Sequence, residues 1–270
     1  MGIFDGVLLA ADIDGTLLNS RSELTAPVSA ALTSFVRRGG RFTVATGRSF
    51  AGFAALRPSV PLNAPAVLSN GAYIYDYDAE SVLRAEWLSG PFEEALDDIL
   101  RTFPGLGTEL HWPDRVAIMN FNRWNEAHMT SVRCAHQAIQ NYGETPPPWL
   151  KILFVDEHEV LRAVAGYAKA RYGRDFSFFF SAGNLLEMQN TGIDKAEGVR
   201  ALTEALSLNP KDVYTAGDAG NDLGMLRAFT SFAPASGTEE ARAAADRIIP
   251  SCDEHALAAA IRLLEERYVR

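Results

Sequence analysis

The stretch "LLAADIDGTLLNS" (residues 8–20) leads from an apolar segment directly into two acidic residues. We predict a buried strand over residues 7–12, because the segment is short and almost wholly apolar. Asp12 and Asp14 follow at the end of this strand, and Asp14-Gly15 is a typical turn dipeptide. Two carboxylates at the end of a buried strand need a partner for their charges, which other parts of the chain must supply.

The segments that follow this strand alternate between helices and strands. Thr25 is the predicted N-cap of a helix, residues 41–46 form a second apolar strand, and another helix begins near Ser49. A third strand leads into a hairpin around Asn70-Gly71. This alternation is typical of a doubly wound parallel sheet.

The pattern changes near residue 84 to paired strands between helices, including a predicted helix over 124–142. Paired strands indicate an α+β unit with an antiparallel sheet. The strand–helix alternation returns after residue 190. The sequence therefore predicts an α/β protein in which a doubly wound domain (1–83 and 190–270) is interrupted by an inserted α+β domain (84–189).

The composition is that of an ordinary globular protein, with 47% hydrophobic and 22% charged residues among 270. The 25 basic and 34 acidic residues give a net charge of −9 (25 − 34), and no block of like charges occurs. We therefore expect neither nucleic acid nor a membrane surface as a partner. No apolar segment is long enough for a membrane span or a signal peptide, and Cys134 and Cys252 are expected to be buried thiols in a cytoplasmic protein.

Polar residues gather where the predicted parallel strands end, and ligands bind beyond the carboxyl ends of such strands. The residues at these ends are Asp12, Asp14, Thr46, Gly47, Arg48, Ser69, Asn70, Gly71, Asp218, Asn221 and Asp222. Lys195 begins the helix by which the chain re-enters the sheet domain. Each motif alone is more often a plain turn or helix start, but their convergence on one edge favours a functional site.

The residue types in this set favour phosphoryl chemistry. Clustered aspartates repel one another unless a divalent cation neutralises them, and oxygen ligands favour Mg²⁺. Asp12 can act as a nucleophile, since an acyl phosphate divides one hydrolysis into two easier steps. Asp14 can protonate the leaving oxygen if it is neutral. The charge of Asp12 and partial burial would favour that form, whereas Mg²⁺ and Lys195 oppose it.

Five motifs resemble the motif set of the haloacid dehalogenase superfamily: DIDGT at 12–16, ATGR at 45–48, SNGA at 69–72, Lys195 in GIDKAEGV, and GDAGND at 217–222. Their order, with the insertion before the lysine, is similar to that of the Cof-type sugar phosphatases with a type IIB cap. The resemblance implies a Rossmann-like core, a mobile cap, and Mg²⁺-dependent hydrolysis of a small phosphorylated metabolite through an aspartyl phosphate. We expect a monomer or a homodimer.

The resemblance also implies a role for each matched residue. Asp12 is the nucleophile, Asp14 the acid/base, and Lys195 screens the charges of the nucleophile and the phosphate. Mg²⁺ is held by Asp12, the Asp14 main-chain carbonyl and Asp218, while Asp222 acts through metal-bound water or orients Lys195. The implied phosphate-binding residues are Thr46, Gly47 and Asn221. Asn70 and Gly71 are further candidate binding residues, and Arg48 either contacts the substrate or anchors a helix to the sheet. The segment FAPASG (232–237) departs from the Met-Gly-Asn-Ala stretch of many relatives.

Two other functions remain open from the sequence. A sugar phosphomutase or phosphotransferase would use the same nucleophile and pass the phosphoryl group to a second hydroxyl. A non-catalytic phosphoacceptor is opposed by Asp14, since an acid/base beside an aspartyl phosphate hastens its hydrolysis. A protein that only binds sugar phosphates is opposed by the presence of every residue that the chemistry requires. Candidate substrate contacts in the inserted domain are residues 109–115, Asn120 and Asn122, with His111 expected in a loop.

Overall fold

The computed structural model describes residues 2–269 and divides into two units. The core unit contains the residues up to 46, residues 56–83 and those from 194 onward, and the inserted unit contains residues 47–55 and 84–193.

Strands and helices follow one another along both units. The strands are β1 (Leu8–Ala11), β2 (Arg41–Val44), β3 (Ala66–Leu68), β4 (Tyr73–Asp76), β5 (Ser81–Ala85), β6 (Gly107–His111), β7 (Val116–Met119), β8 (His136–Ala138), β9 (Lys151–Val155), β10 (Phe176–Ala182), β11 (Leu185–Asn190), β12 (Val213–Ala216), β13 (Thr230–Pro234) and β14 (Arg247–Ile249). The helices are α1 (Ala26–Arg37), α2 (Phe50–Ala54), α3 (Phe92–Thr102), α4 (Arg123–Val132), α5 (His158–Tyr172), α6 (Lys195–Ala205), α7 (Leu223–Ala228), α8 (Glu239–Ala244) and α9 (Ala256–Tyr268).

The core unit is built on a parallel sheet in the order β14-β13-β12-β1-β2. Ala11 at the end of β1 lies opposite Ala216 of β12 and Val44 of β2. All residues of β1 are buried, as expected for a parallel strand covered on both faces. The predicted α/β class with a doubly wound sheet is confirmed. Because β1, β2 and β12 run in the same direction, the residues that follow them lie at one edge of the sheet.

The helix that carries Lys195 begins where the sequence predicts it. Asp194 is the N-cap of α6, and its side chain accepts a hydrogen bond from the Glu197 N–H at 2.8 Å. Such a cap satisfies one of the free N–H groups of the first turn. Lys195 is thereby fixed as the first residue of the helix.

The inserted unit contains a sheet in the order β10-β11-β9-β6-β7-β8, antiparallel except for the pair β7–β8. Its α+β character is as predicted. One side of β6, β9 and β11 is apolar and belongs to a hydrophobic cluster with residues of α3 and α5. The other side carries buried polar side chains at alternate positions: Glu109, His111, Lys151 and Glu187. We call these four residues the polar face.

The predicted helix over 124–142 is wrong in its second half. Helix α4 ends at Val132, and Arg133 follows with a left-handed φ of 50°. The next residues form β8, which pairs in parallel with β7. The local helical pattern is overridden here because the chain satisfies its backbone groups on the edge of a sheet instead.

The division into units differs from the expected domain boundaries at two places. Residues 47–55 group with the inserted unit, and the chain returns to the core unit at residue 194 rather than 190. The Ala51 N–H donates to the Pro113 carbonyl at 2.9 Å, which ties this segment to the inserted unit. Sequence periodicity does not report such a contact between distant backbone groups.

Two expectations from composition can be compared with the structure. Cys134 and Cys252 are buried and unlinked, as predicted. Among residues 2–269, every helix is too short or too polar to cross a membrane.

Candidate active site

A buried lysine joins two aspartates at the carboxyl edge of the core sheet. Nζ of Lys195 lies 2.6 Å from Oδ1 of Asp12 and 2.6 Å from Oδ1 of Asp222. The lysine side chain is 0% exposed. Burial by itself would lower the pKa of Lys195, but the two carboxylates raise it above its ordinary value. The lysine is therefore a fixed cation beside Asp12.

Asp222 uses both carboxylate oxygens within the core unit. Oδ1 accepts from Lys195, and Oδ2 accepts from the backbone N–H groups of Asp218 at 2.8 Å and Ala219 at 2.9 Å. Three charge-assisted hydrogen bonds hold this side chain in one place. Of the two roles expected for Asp222, this arrangement favours the orientation of Lys195.

Asp218 lies beside Asp12 and is held by residues from separate parts of the chain. Thr16 donates its hydroxyl to Oδ1 of Asp218 at 3.0 Å. The Thr238 N–H donates to the Asp218 main-chain carbonyl at 2.8 Å, so the turn that follows the divergent FAPASG segment supports Asp218. Neither Thr16 nor Thr238 was identified from the sequence as a site residue, although Thr16 belongs to the DIDGT motif.

The carboxylates form a site that suits a small divalent cation. Carboxylate oxygens of Asp12, Asp218 and Asp222 lie within 4.8 Å of one another. The pKa of Asp218 is raised to about 6, mainly by burial and next by the negative charge of Asp222. Burial also raises the pKa of Asp12 well above its ordinary value, and Asp222 and Asp218 add to this effect while Lys195 opposes it. Three carboxylates facing one ammonium therefore fit a cation with oxygen ligands.

Asp14 differs from its expected environment because its side chain is exposed. The partial burial that was expected to favour its neutral form is therefore absent. Its backbone lies in the turn that leads to Gly15, which has a φ of 82°. The charge of Asp14 contributes to the raised pKa of Asp218, so the carboxyl group lies close to the aspartate cluster.

Because Gly15 has no side chain, the Asp218 carboxylate can occupy the space beside it. A Cβ at this position would lie 2.5 Å from Oδ2 of Asp218. We expect Gly15→Ala to weaken divalent-cation binding at least tenfold, because the carboxylate must move, and to destabilise the fold by about 1 kcal/mol through its positive φ. Calorimetric titration with Mg²⁺ and urea unfolding measure the two effects.

Gly6 provides a matched control for this substitution. It has a φ of 85°, and apart from Gly6 and its two neighbours in the chain, no heavy atom of the described residues lies within 4 Å of the position that a Cβ would take there. Gly6→Ala should therefore show the backbone penalty alone. Equal cation affinity in the Gly15→Ala and Gly6→Ala proteins would contradict the proposed effect on Asp218.

The structure groups Thr46 with two of the predicted binding residues. Thr46 is buried; its N–H donates to the Val67 carbonyl and its own carbonyl accepts from the Asn70 N–H, both at 2.9 Å. Asn70 has a φ of 52°, and its Oδ1 accepts from Nδ2 of Asn221 at 3.1 Å. These bonds link the loops that follow β2, β3 and β12.

Gly71 has a packing role in this group. Its φ is 95°, and a Cβ would lie 2.1 Å from the Asp194 carbonyl oxygen. A residue with a side chain would displace the start of α6 and with it Lys195. The close approach of two backbones is sufficient reason for a glycine at this position.

Gly47 and Arg48 belong to the inserted unit, unlike the other predicted site residues. The Gly47 carbonyl accepts a hydrogen bond from Nζ of Lys151 at 2.9 Å. Nη1 of Arg48 lies 3.4 Å from the Gly52 carbonyl oxygen, a long contact for a hydrogen bond. Lys151 was not identified from the sequence.

The expected loop position of His111 is wrong. His111 lies in β6, is buried, and has Nε2 3.0 Å from Oε2 of Glu109. Asn122 is the N-cap of α4, where its side chain accepts from the Trp124 N–H. The polar face could have been predicted from the sequence, because polar residues occur at every second position of β6 and at matching positions of β9 and β11. Side chains two residues apart in a strand lie on the same side of a sheet.

Comparison with known proteins identifies related sequences along most of the chain. A family model described as haloacid dehalogenase-like hydrolase matches residues 9–261. A putative phosphatase of Bacillus subtilis, YxeH, is 28% identical over 271 residues, covering 95% of this chain and 97% of its own. An HMP-PP phosphatase of Cronobacter sakazakii is 28% identical over 230 residues, covering 80% and 79%.

Solved structures share the fold. A haloacid dehalogenase-like hydrolase from Bacteroides thetaiotaomicron superposes with a TM-score of 0.87 at 24% identity, covering 96% of this chain and 99% of that one. The sugar phosphatase BT4131, of subclass IIB of the same superfamily, superposes with a TM-score of 0.83 at 18% identity, covering 96% and 98%.

Proposed function

The chain belongs to the haloacid dehalogenase-like hydrolase family, and we propose that it is a Mg²⁺-dependent phosphatase that hydrolyses small phosphomonoesters through an aspartyl phosphate on Asp12. The observation that carries this proposal is the buried cluster in which Lys195 contacts Asp12 and Asp222 while Asp218 lies alongside. The phosphatase names of relatives that align over most of the chain support the same reaction. Sugar phosphates and related metabolites are the proposed substrates.

Asp12, the Asp14 main-chain carbonyl and Asp218 are the proposed holders of Mg²⁺. Asp222 is less suited to direct ligation because both of its oxygens accept hydrogen bonds. When bound, the cation would neutralise charge on the phosphoryl oxygens and on the aspartates. The Thr16 hydroxyl keeps the Asp218 carboxylate turned toward the cluster.

Asp12 carries the first chemical step. A carboxylate has about four lone-pair sites, so the bond from Lys195 leaves oxygen lone pairs for attack on phosphorus. A bond forms between the Asp12 carboxylate and phosphorus, and the bond from phosphorus to the ester oxygen breaks. Lys195 favours this step because its fixed positive charge opposes the rise in the pKa of Asp12 that burial causes, and because it lowers repulsion between the carboxylate and an anionic substrate.

Asp14 carries the proton in both steps. As a neutral acid it donates a proton to the departing ester oxygen, which leaves as an alcohol. As a carboxylate it then takes a proton from the water that attacks the aspartyl phosphate, releasing inorganic phosphate and restoring Asp12. Its exposed side chain is accessible to both the leaving group and water. Thr46 is proposed to hydrogen-bond a phosphoryl oxygen.

The function is tested by measuring phosphate release from hexose, pentose, polyol, nucleotide and cofactor phosphates with Mg²⁺. At least one compound should release phosphate, and release should stop when EDTA removes the cation. Addition of a bisphosphate activator distinguishes a hydrolase from a phosphotransferase, because the transferase would yield an isomerised sugar phosphate instead of free phosphate. Absence of release from every compound would contradict the proposal.

Cation binding should stabilise the protein in a pH-dependent way. The pKa of Asp218 in the folded, metal-free protein is about 6, above the ordinary value of 3.8, so the folded state binds this proton more tightly than the unfolded state. The resulting stabilisation, on the order of 3 kcal/mol at most, is present below pH 4 and is lost as the pH rises to 6. Mg²⁺ should therefore raise the melting temperature more at pH 7.5 than at pH 4.5, where protons compete for Asp218.

Thermal unfolding with and without Mg²⁺ at the two pH values measures this difference. Asp218→Asn should lose most of the Mg²⁺ response, whereas Asp114→Asn, which changes an exposed aspartate of the inserted unit, should retain it. An equal Mg²⁺ effect at both pH values would show that Asp218 does not bind the cation.

A further inference from the structure

Arg242 is a partly buried arginine of α8 whose guanidinium binds backbone carbonyls. Its Nη1 donates to the Gly237 carbonyl and lies 3.3 Å from the carbonyl oxygen of Ala235. Both acceptors belong to the loop 235–238, which joins β13 to α8. Because the guanidinium is planar and rigid, one side chain holds two carbonyls of this loop in fixed positions.

The peptide unit between Gly237 and Thr238 is bound at both of its ends. Its carbonyl accepts from Arg242, and its N–H, which belongs to Thr238, donates to the main-chain carbonyl of Asp218 at 2.8 Å. A peptide unit is planar, so the direction of its carbonyl fixes the direction of its N–H. A cationic donor also polarises the unit and strengthens the next hydrogen bond in the series. Arg242 therefore acts on Asp218 through one peptide unit.

The loop 235–238 is in close contact with the backbone of Asp218. A Cβ on Gly237 would lie 3.0 Å from the carbonyl oxygen of Asp218 and 3.1 Å from its Cα. The Cys252 N–H donates to Oγ of Ser236 at 3.2 Å, which anchors the middle of the loop to the segment after β14. A shift of the Gly237 peptide would therefore be transmitted directly to Asp218.

Asp218 is held at three points, each by a different segment of the core unit. Its N–H donates to Oδ2 of Asp222 at 2.8 Å, and its Oδ1 accepts from the Thr16 hydroxyl at 3.0 Å. The third point is its main-chain carbonyl, which accepts from the Thr238 N–H. The Cα of Asp218 lies between the two bound backbone groups. These bonds together therefore fix the position from which the carboxylate extends.

The position of this carboxylate matters because Mg²⁺ requires a nearly ideal octahedral arrangement of oxygen ligands. Loss of a residue that orients a metal ligand typically weakens metal binding by about 10–100-fold. Arg242 acts one peptide unit further from the ligand than such a residue. We therefore expect an effect below or at the lower end of this range.

We infer that Arg242 is a positioning residue, whose guanidinium fixes the Gly237–Thr238 peptide so that Asp218 stays in place to bind the cation. This inference rests on the proposed function, in which Asp218 is a ligand of Mg²⁺. It assigns Arg242 no contact with the cation or the substrate. All the groups involved belong to the core unit. The inference also gives a role to the divergent FAPASG segment, whose carbonyls Arg242 binds.

The test measures the dissociation constant of Mg²⁺ by calorimetry at pH 7.5. In Arg242→Met we expect this constant to rise by about fivefold or more. Loss of a positive charge by itself should strengthen the binding of a cation, because like charges repel. Weaker binding would therefore have the opposite sign to a simple charge effect. Arg242→Lys restores a cationic donor and should bind Mg²⁺ at least about twofold more tightly than Arg242→Met.

A matched control separates positioning from the general loss of an arginine. Arg227→Met changes an exposed arginine of α7 and should bind Mg²⁺ as tightly as the parent protein or more tightly. Titration well below the melting temperature keeps each protein folded, so lower stability alone does not change the dissociation constant. If Arg242→Met does not fold, Arg242→Ala replaces it under the same fivefold criterion, since alanine is the best helix former.

The outcomes of this experiment are distinct from those of the activity screen. A folded Arg242→Met protein that binds Mg²⁺ as tightly as the parent would overturn the inference, even if the parent is an active phosphatase. An equal loss of affinity in Arg227→Met would overturn it as well. A parent that binds Mg²⁺ but hydrolyses no ester contradicts the proposed function alone, because the dissociation constants still decide the role of Arg242. A parent that binds no Mg²⁺ overturns both.

Discussion

Asp12→Asn is expected to lower the rate of phosphate release by about 10⁴-fold or more. The amide has the shape of the carboxylate but cannot form the acyl phosphate, so the two-step reaction is lost. The same substitution replaces a charged carboxylate of the proposed Mg²⁺ site with a neutral amide and should weaken cation binding as well. Initial rates on the best substrate of the screen, with Mg²⁺ at saturation, measure the effect.

The fold of the Asp12→Asn protein should remain intact. Burial, with the charges of Asp222 and Asp218, raises the pKa of Asp12 even though Lys195 opposes this, so its ionised form is unfavourable in the metal-free protein. A neutral Asn should therefore leave the metal-free melting temperature unchanged or higher, while Asp222 still pairs with Lys195. An Asp12→Asn protein with more than a tenth of the parent rate would show that Asp12 is not the nucleophile.

Lys195→Met is expected to reduce both activity and stability, in contrast to Asp12→Asn. The substitution leaves the buried carboxylates of Asp12 and Asp222 without their common cation. Removing one partner of a buried ion pair destabilises proteins by about 3–5 kcal/mol, since the remaining charge is uncompensated. We expect a loss of that size in the free energy of unfolding in urea at pH 7, and a loss of activity of about 10³-fold or more.

The pH dependence of this variant provides an internal check. Because burial raises the pKa of Asp12, this carboxylate can take up a proton at pH 5, so the loss of stability in Lys195→Met should be smaller than at pH 7. Lys211→Met, which changes an exposed lysine of the core unit, should stay within about 0.5 kcal/mol of the parent at both pH values. A Lys195→Met protein as stable as the Lys211→Met protein would contradict the role of Lys195 as the cation of the cluster.

Much of the core unit could be predicted from short segments of sequence. The apolar run of β1, the N-cap before α1 and the polar residues after β1, β2 and β12 are local patterns, and the structure has these elements close to the predicted positions. The rule that parallel strands present their carboxyl ends at one edge was sufficient to bring Asp12 and Asp218 together. The second half of the helix predicted over 124–142 was wrong because residues 136–138 pair with strand β7 instead of continuing the helix.

The sequence by itself determined that Asp12, Lys195, Asp218 and Asp222 lie at strand ends or helix starts, because a strand end or a helix start is encoded by residues adjacent to it. Only the tertiary structure decided which groups meet: Lys195 with Asp12 across 183 residues, Thr16 with Asp218 across 202, and Lys151 with Gly47 across 104. It also decided that Asp14 is exposed and that the polar face of the inserted sheet is buried. The physical reason is that burial and hydrogen-bond geometry depend on strand register and packing between distant segments, which local periodicity does not specify.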